Sequence, residues 1–187
     1  MACKGVPLLD SIVKESDPMP TWNIPALLFA VALSLVMAIV GGLLTGNQLT
    51  QWFATLHKPR FQLPLWGFVC VGLFGYIVDV IIAYRLLTVV PEQTARIIAL
   101  TALIIVMLYN ELWNIVLFRW HNTFAAFLGI LVFLIPLTVL QVTLVLVDSV
   151  SAWLVFAYLV WAIGYDIPWA YRLWRLNPPQ TQPARER

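Results

Sequence analysis

Five apolar runs, each a little over twenty residues long and almost free of charge, leave this chain very few folds to choose from. They cover residues 22–44, 64–87, 95–118, 123–147 and 152–174. A bilayer core about 30 Å thick is crossed by roughly 20 apolar residues in a helix, and in lipid every backbone polar group must be satisfied within the segment itself. The expected fold is therefore an all-α membrane protein, a bundle of five transmembrane helices. Of 187 residues, 61% are hydrophobic and only 11% charged, whereas soluble domains carry about a quarter charged residues. What remains outside the runs is too short for a soluble catalytic domain.

The connections set the topology. Residues 88–94, 119–122 and 148–151 are short, so sequential spans must pack antiparallel. The exception is residues 45–63, where Trp52, Phe53, Pro59 and Phe61 make the stretch too apolar for a solvated linker and predict a long first loop folded as a lid over the bundle. Pro25 sits where a missing N–H costs least, Gly41 and Gly42 are expected to loosen the end of span one, and Pro136 and Pro168 are expected to kink spans four and five. The polar tail at residues 1–21 has no apolar core of signal-peptide length, so no cleaved signal is expected, and residues 177–187 form a second polar tail.

Charge gives orientation rather than nucleic-acid binding, because a net charge of +2 is small and the cations form no basic stripe. The N-tail side carries Lys4, Lys14, Arg85 and Arg96, and the long-loop side carries Lys58, Arg60, Arg119, Arg172, Arg175, Arg185 and Arg187. The positive-inside rule then puts the long loop and the C-terminus in the cytoplasm and the N-terminus outside. Cys3 and Cys70 are expected to be free thiols.

Ionisable groups inside spans are costly and usually mark function. There are three, Asp79, Glu111 and Asp166. A rise of about 1.5 Å per residue puts Glu111 and Asp166 at similar depth near the long-loop face, where His57, Lys58 and Arg60 are expected within reach for a lid-to-bundle charge contact. Asp79 falls near the level of Gln141, and a hydrogen bond between them, serving as a structural clamp, is expected there. Asn110 and Asn114 share a helix face, either to hold a ligand's polar groups or to bond a neighbouring backbone. Of nine tryptophans, Trp22, Trp52, Trp66, Trp120 and Trp174 lie at span ends as interfacial residues; Trp113, Trp153, Trp161 and Trp169 either pack helix on helix or line a cavity. No HExxH, GxSxG, Walker loop or cysteine cluster is present, and His57 and His121 lie outside the spans, so a haem held by two transmembrane histidines is excluded.

The order Trp52-Phe53, Leu56, Lys58-Pro59, Pro64, Trp66, followed by Tyr76, Asn110-x-x-Trp113-Asn114, Ala152-x-Leu154, Tyr158 and Trp161, resembles the TspO/MBR family of tryptophan-rich sensory and translocator proteins. The resemblance runs over roughly residues 24–177. Departures from the family pattern are Phe61 for a Trp, Leu63 for a Pro, Gly72 for a Trp, Gly129 for an Asp, Ala157 for a Pro, and Pro168-Trp169 for Leu-Asn.

The resemblance implies a five-helix bundle, often a homodimer, whose cavity beneath the first loop takes a porphyrin, haem or a sterol-like molecule. Carried over by position, Trp52, Phe53, Trp66, Asn110, Trp113, Asn114, Tyr158 and Trp161 are the candidate cavity wall, with Lys58 and Arg60 set to meet a porphyrin's propionates. The family's light-driven porphyrin degradation is not assigned, because Gly72 lacks one of the indoles that chemistry uses. Three readings follow: a binder of flat hydrophobic ligands, for sensing or transport; a non-catalytic assembly subunit of a larger membrane complex, which Gly72 and Gly129 would suit; and an intramembrane enzyme with Glu111 and Asp166 as acid and base.

Overall fold

The computed structural model describes residues 22–178. The expectations for the N-terminal tail, Cys3 included, and for the last nine residues lie outside them. Helix α1 spans Ile24–Thr45, α2 Trp52–Thr55, α3 Leu65–Val89, α4 Gln93–Asn114, α5 Thr123–Val147, α6 Ser149–Trp161 and α7 Ile167–Leu176, and no strand occurs among the described residues. Five stretches are long and apolar enough to cross a membrane: Ile24–Leu49, Leu65–Val89, Gln93–Arg119, Thr123–Val147 and Ser149–Leu176. The chain is an all-helical, integral multi-pass membrane protein.

Short polar side chains start the spans. Asn23 Oδ1 accepts from Ala26 N at 3.1 Å, Asn122 Oδ1 from Ala125 N at 2.9 Å, Asp148 Oδ2 from Ser151 N at 3.2 Å, and the Glu92 carboxylate from Thr94 N and Ala95 N. Each quenches N–H groups that the first turn of a helix leaves unpaired. Those two backbone donors hold the Glu92 carboxyl below its ordinary pKa.

Two spans depart from α geometry. Residues Ile115–Arg119 at the end of span three and Ala162–Asp166 in the middle of span five are π-helical. The second turn has a local cause: Pro168 has no N–H to give Gly164 and its ring would press on that carbonyl, so the chain widens by one residue just before it. Pro136 behaves differently, because α5 continues through it without interruption. Gly41 and Gly42 do not loosen span one, which stays helical to Thr45 and turns only at Gly46, where φ is +53°.

The helices form a ring in the order α3, α1, α4, α5, α6/α7, and back to α3. Its N-tail half is filled by Met37, Ile82, Leu86, Leu103, Met107, Phe133, Leu137 and Val155, and its long-loop half by Phe53, Leu117, Phe118, Ile130, Trp169 and Leu173. At the N-tail end α3 is fastened to the start of α6. Arg85 Nε and Nη2 donate to Asp148 Oδ2 and Oδ1 at 2.8 and 2.7 Å, and Ser151 Oγ donates to Oδ2 at 2.5 Å. The Arg85 guanidinium holds the Asp148 carboxyl down at about 2. The bidentate geometry is what makes such a pair strong.

Candidate functional site

The long connection folds back across the end of the ring. Phe53, 5% exposed, meets Phe118 edge-on at 5.9 Å and Trp169 at 6.3 Å. Trp52 stacks on His121 at 4.3 Å, and Gln48 Oε1 lies 3.1 Å from His121 Nε2. These contacts hold His121 at φ +51°, a left-handed conformation that costs an L residue energy. Arg119 closes span one by donating to the carbonyls of Leu43 and Leu44 at 2.8 and 2.9 Å. Further along, Leu63 N donates to Tyr165 OH at 3.0 Å, and Asn177 bonds both the N–H and the carbonyl of His57.

Beneath this end lies a polar network at membrane depth. Glu111 is only 2% exposed. Its Oε1 accepts from Tyr76 OH at 2.7 Å and its Oε2 from Asn114 Nδ2 at 3.3 Å. The carboxylate fits because Gly41 faces it from α1, where a Cβ would stand 1.9 Å from Oε2 and 3.1 Å from Tyr76 OH. A buried carboxylate with both oxygens satisfied is tolerable in a bilayer, and a crowded one without those donors would not be. One residue earlier on α4, Asn110 Oδ1 accepts from Tyr158 OH on α6 at 3.5 Å, a contact that crosses the inside of the ring.

Although it faces inward, Asn110 is exposed. The opening is on the flank between α3 and span five. Every residue of 69–75 is exposed, so this stretch of α3 is only thinly covered by its neighbours. Gly72 lies one turn from Phe68, which meets Tyr165 at 6.4 Å, and one turn from Tyr76, which bonds Glu111. It therefore faces inward between them, yet a Cβ there would meet nothing within 4 Å, and the same holds at Gly75 and, on span five, at Gly164. The window is bounded at the N-tail end by Arg85 and Asp148 and at the long-loop end by Phe61, Phe68 and Tyr165. Trp161 lies at its edge, 4.6 Å from Tyr165, donating through Nε1 to Asp166 Oδ1 at 3.0 Å.

Only some of the candidate residues thus come together. Asn110, Asn114, Tyr158 and Trp161 gather around the window together with Glu111 and Asp166. Trp52 and Phe53 belong to the loop packing. Trp113 fills the space at Gly129, where a Cβ would lie 2.9 Å from its Cδ1, and donates through Nε1 to Ala126 O at 2.8 Å. Trp66 is 72% exposed on the outer face of α3, and Trp153, 70% exposed, faces outward rather than packing or lining a cavity. The expected charge contact between loop and bundle is not made: Lys58 Nζ bonds Ala54 O at 3.2 Å over the Phe53 ring, Arg60 is exposed, and Glu111 and Asp166 have only neutral donors. No hydrogen bond joins Glu111 to Asp166. Nor does one join Asp79 to Gln141, whose Oε1 is buried without a partner; α3 and α5 are not neighbours in the ring, with α6 between them on one side and α1 and α4 on the other.

Sequence reasoning gave Gly41 a different role, loosening the end of span one, and passed over Phe68 and Tyr165. Only Gly41 had a readable signal, as a small residue in a long apolar span, the usual mark of close helix approach. On the outer, lipid-facing side of α4 and α5 a separate groove of about 450 Å³ is lined by Ile97, Ile98, Ile105, Ile135, Pro136 and Val139.

Among curated proteins nothing matches this chain. The family model described as the TspO/MBR family matches residues 20–166, which include the loop, the Tyr76, Glu111 and Asn114 network and the window. A match over that much of the chain settles its kinship: it belongs to the TspO/MBR family.

Proposed function

We propose that this protein binds a flat hydrophobic ligand, a tetrapyrrole first and a sterol-like molecule second, in the window between α3 and span five, and thereby senses or moves it. The supporting observation is the inward-facing yet exposed Asn110, a polar floor at membrane depth beside the empty space at Gly72 and Gly164. Family membership supports the same reading. Phe68, Trp161 and Tyr165 offer aromatic faces for a planar body, whose burial is worth about 25 cal/mol per Å², while Asn110 and Tyr158 can orient a polar edge. Residues 46–64 act as a lid over the long-loop end of the window. By the positive-inside rule the lid side and C-terminus are cytoplasmic.

The test is a titration of purified protein with protoporphyrin or haemin, followed by quenching of tryptophan fluorescence, against the variants Asn110→Leu and Trp161→Phe. Saturable quenching at about micromolar ligand, weakened in both variants, is the expected result. The assembly-subunit reading draws on a different observation, the filling of interior space at Gly41 by Glu111 and at Gly129 by Trp113. Weak, unsaturable quenching alike in all three proteins would favour it.

A further inference from the structure

The walls of the window carry acidic side chains and no basic ones. The stretches that face it, residues 30–41 of α1, 68–79 of α3, 103–114 of α4 and 154–166 of span five, contain Asp79, Glu111 and Asp166 and no Lys, Arg or His. The basic side chains nearest these stretches are engaged elsewhere: Arg85 with Asp148, Arg119 with the carbonyls of Leu43 and Leu44, and Arg172 over the Phe61 ring at 5.5 Å. Glu111 accepts only from a phenol and a carboxamide, Asp166 only from an indole, and Asp79 takes part in no hydrogen bond among the described residues. A carboxyl at membrane depth is normally paired with another charge, or marks where a ligand's counter-charge sits.

A second unused polar group lies inside the ring. Ser34 is 3% exposed and its hydroxyl has no hydrogen-bond partner. It lies on the buried stripe of α1 that includes Met37 and Gly41, ten residues from Ile24, while Asp79 lies ten residues from Val89 on the adjacent α3. Both therefore stand about 15 Å from the N-tail end. An inward hydroxyl without a partner, level with a carboxyl without one, leaves polar capacity that no protein group uses. Aromatic faces complete the setting, because Phe68, Trp161 and Tyr165 attract a cation as readily as they stack on a neutral ring.

We propose that the ligand entering this window bears a positive charge on its flat body, so that the site selects aromatic cations over uncharged molecules of the same shape. The inference rests on the binding function proposed above and narrows its ligand class. A tetrapyrrole with an uncharged ring then ranks below a planar cation of similar area.

The experiment compares two near-isosteres, the permanent cation 10-methylacridinium and uncharged 9-methylanthracene, titrated into the full chain in phosphatidylcholine nanodiscs. Tryptophan quenching is the readout. The wild type should bind the cation about tenfold or more tightly than the neutral compound, as expected for a charge paired in a poorly solvated site. An Asp79→Asn, Glu111→Gln, Asp166→Asn triple variant should lose that advantage, the ratio of its two affinities falling towards one, and its thermal unfolding in the same nanodiscs shows whether the variant is folded. Equal wild-type affinities for the two compounds would overturn the charge selection and leave the binding window standing. No saturable quenching by either would overturn both. If the triple variant does not fold, the wild-type comparison decides alone.

Discussion

At Gly41 the room a side chain would need is already taken by Glu111. Gly41→Ala should therefore destabilise the bundle by about 1–3 kcal/mol, the usual cost of overpacking, and Glu111→Ala by a similar amount, since it strands Tyr76 OH and Asn114. The two changes share one cause. A Gly41→Ala, Glu111→Ala double variant should thus lose clearly less stability than the sum of the singles in thermal unfolding, and strict additivity would contradict the packing described. Such pairings are the least legible part of a sequence. Glu111 stands out as a carboxyl in an apolar span, and Asn114 and Tyr76 can be noticed near it, but nothing in the order of residues says that a glycine seventy positions earlier makes room for it. The loop cations mislead for the same reason: they lie at the right end of the bundle, yet Lys58 finds a carbonyl and a ring within its own loop before it reaches any carboxyl.

The five spans were readable because hydropathy acts over twenty residues, and their observed ends differ from the apolar runs by a few residues at most, the first span excepted, where a 3₁₀ turn at Gly46–Leu49 extends it. The π turns were not readable, since they depend on how a helix resolves a local clash. The fastening of α3 to α6 could have been suspected, because Arg85 and Asp148 lie on the same side of the membrane and Asp148-x-x-Ser151 is a helix-capping spacing. With its pKa lowered from 3.8 to about 2, Asp148 contributes stability that is present above pH 4 and lost as the pH falls through about 2. Asp148→Asn should lower the midpoint of thermal unfolding at pH 7, by loss of about 2 kcal/mol, and should remove this group's share of the acid sensitivity. A variant with an unchanged acid profile would show that the pair does not hold the element in place.

For the whole molecule, two ends differ in build. The long-loop end is packed with aromatic side chains and carries most of the cations, and the N-tail end is closed by one ion pair. If the long-loop end is cytoplasmic, as proposed, a green fluorescent protein fused after Arg187 should fluoresce and an alkaline phosphatase fused there should be inactive; the opposite pattern reverses the orientation. Between the two ends the flank of α3 opens on Asn110, and the account as a whole depends on that window being where a ligand binds. The most direct measurement fills it. At Gly72 and Gly164 a Cβ meets nothing within 4 Å, so a Gly72→Leu, Gly164→Leu variant should fold and melt like the wild type. Titrated with protoporphyrin under tryptophan quenching, it should bind at least about tenfold more weakly. Wild-type affinity in a normally folded variant would contradict the account and place any ligand outside the window.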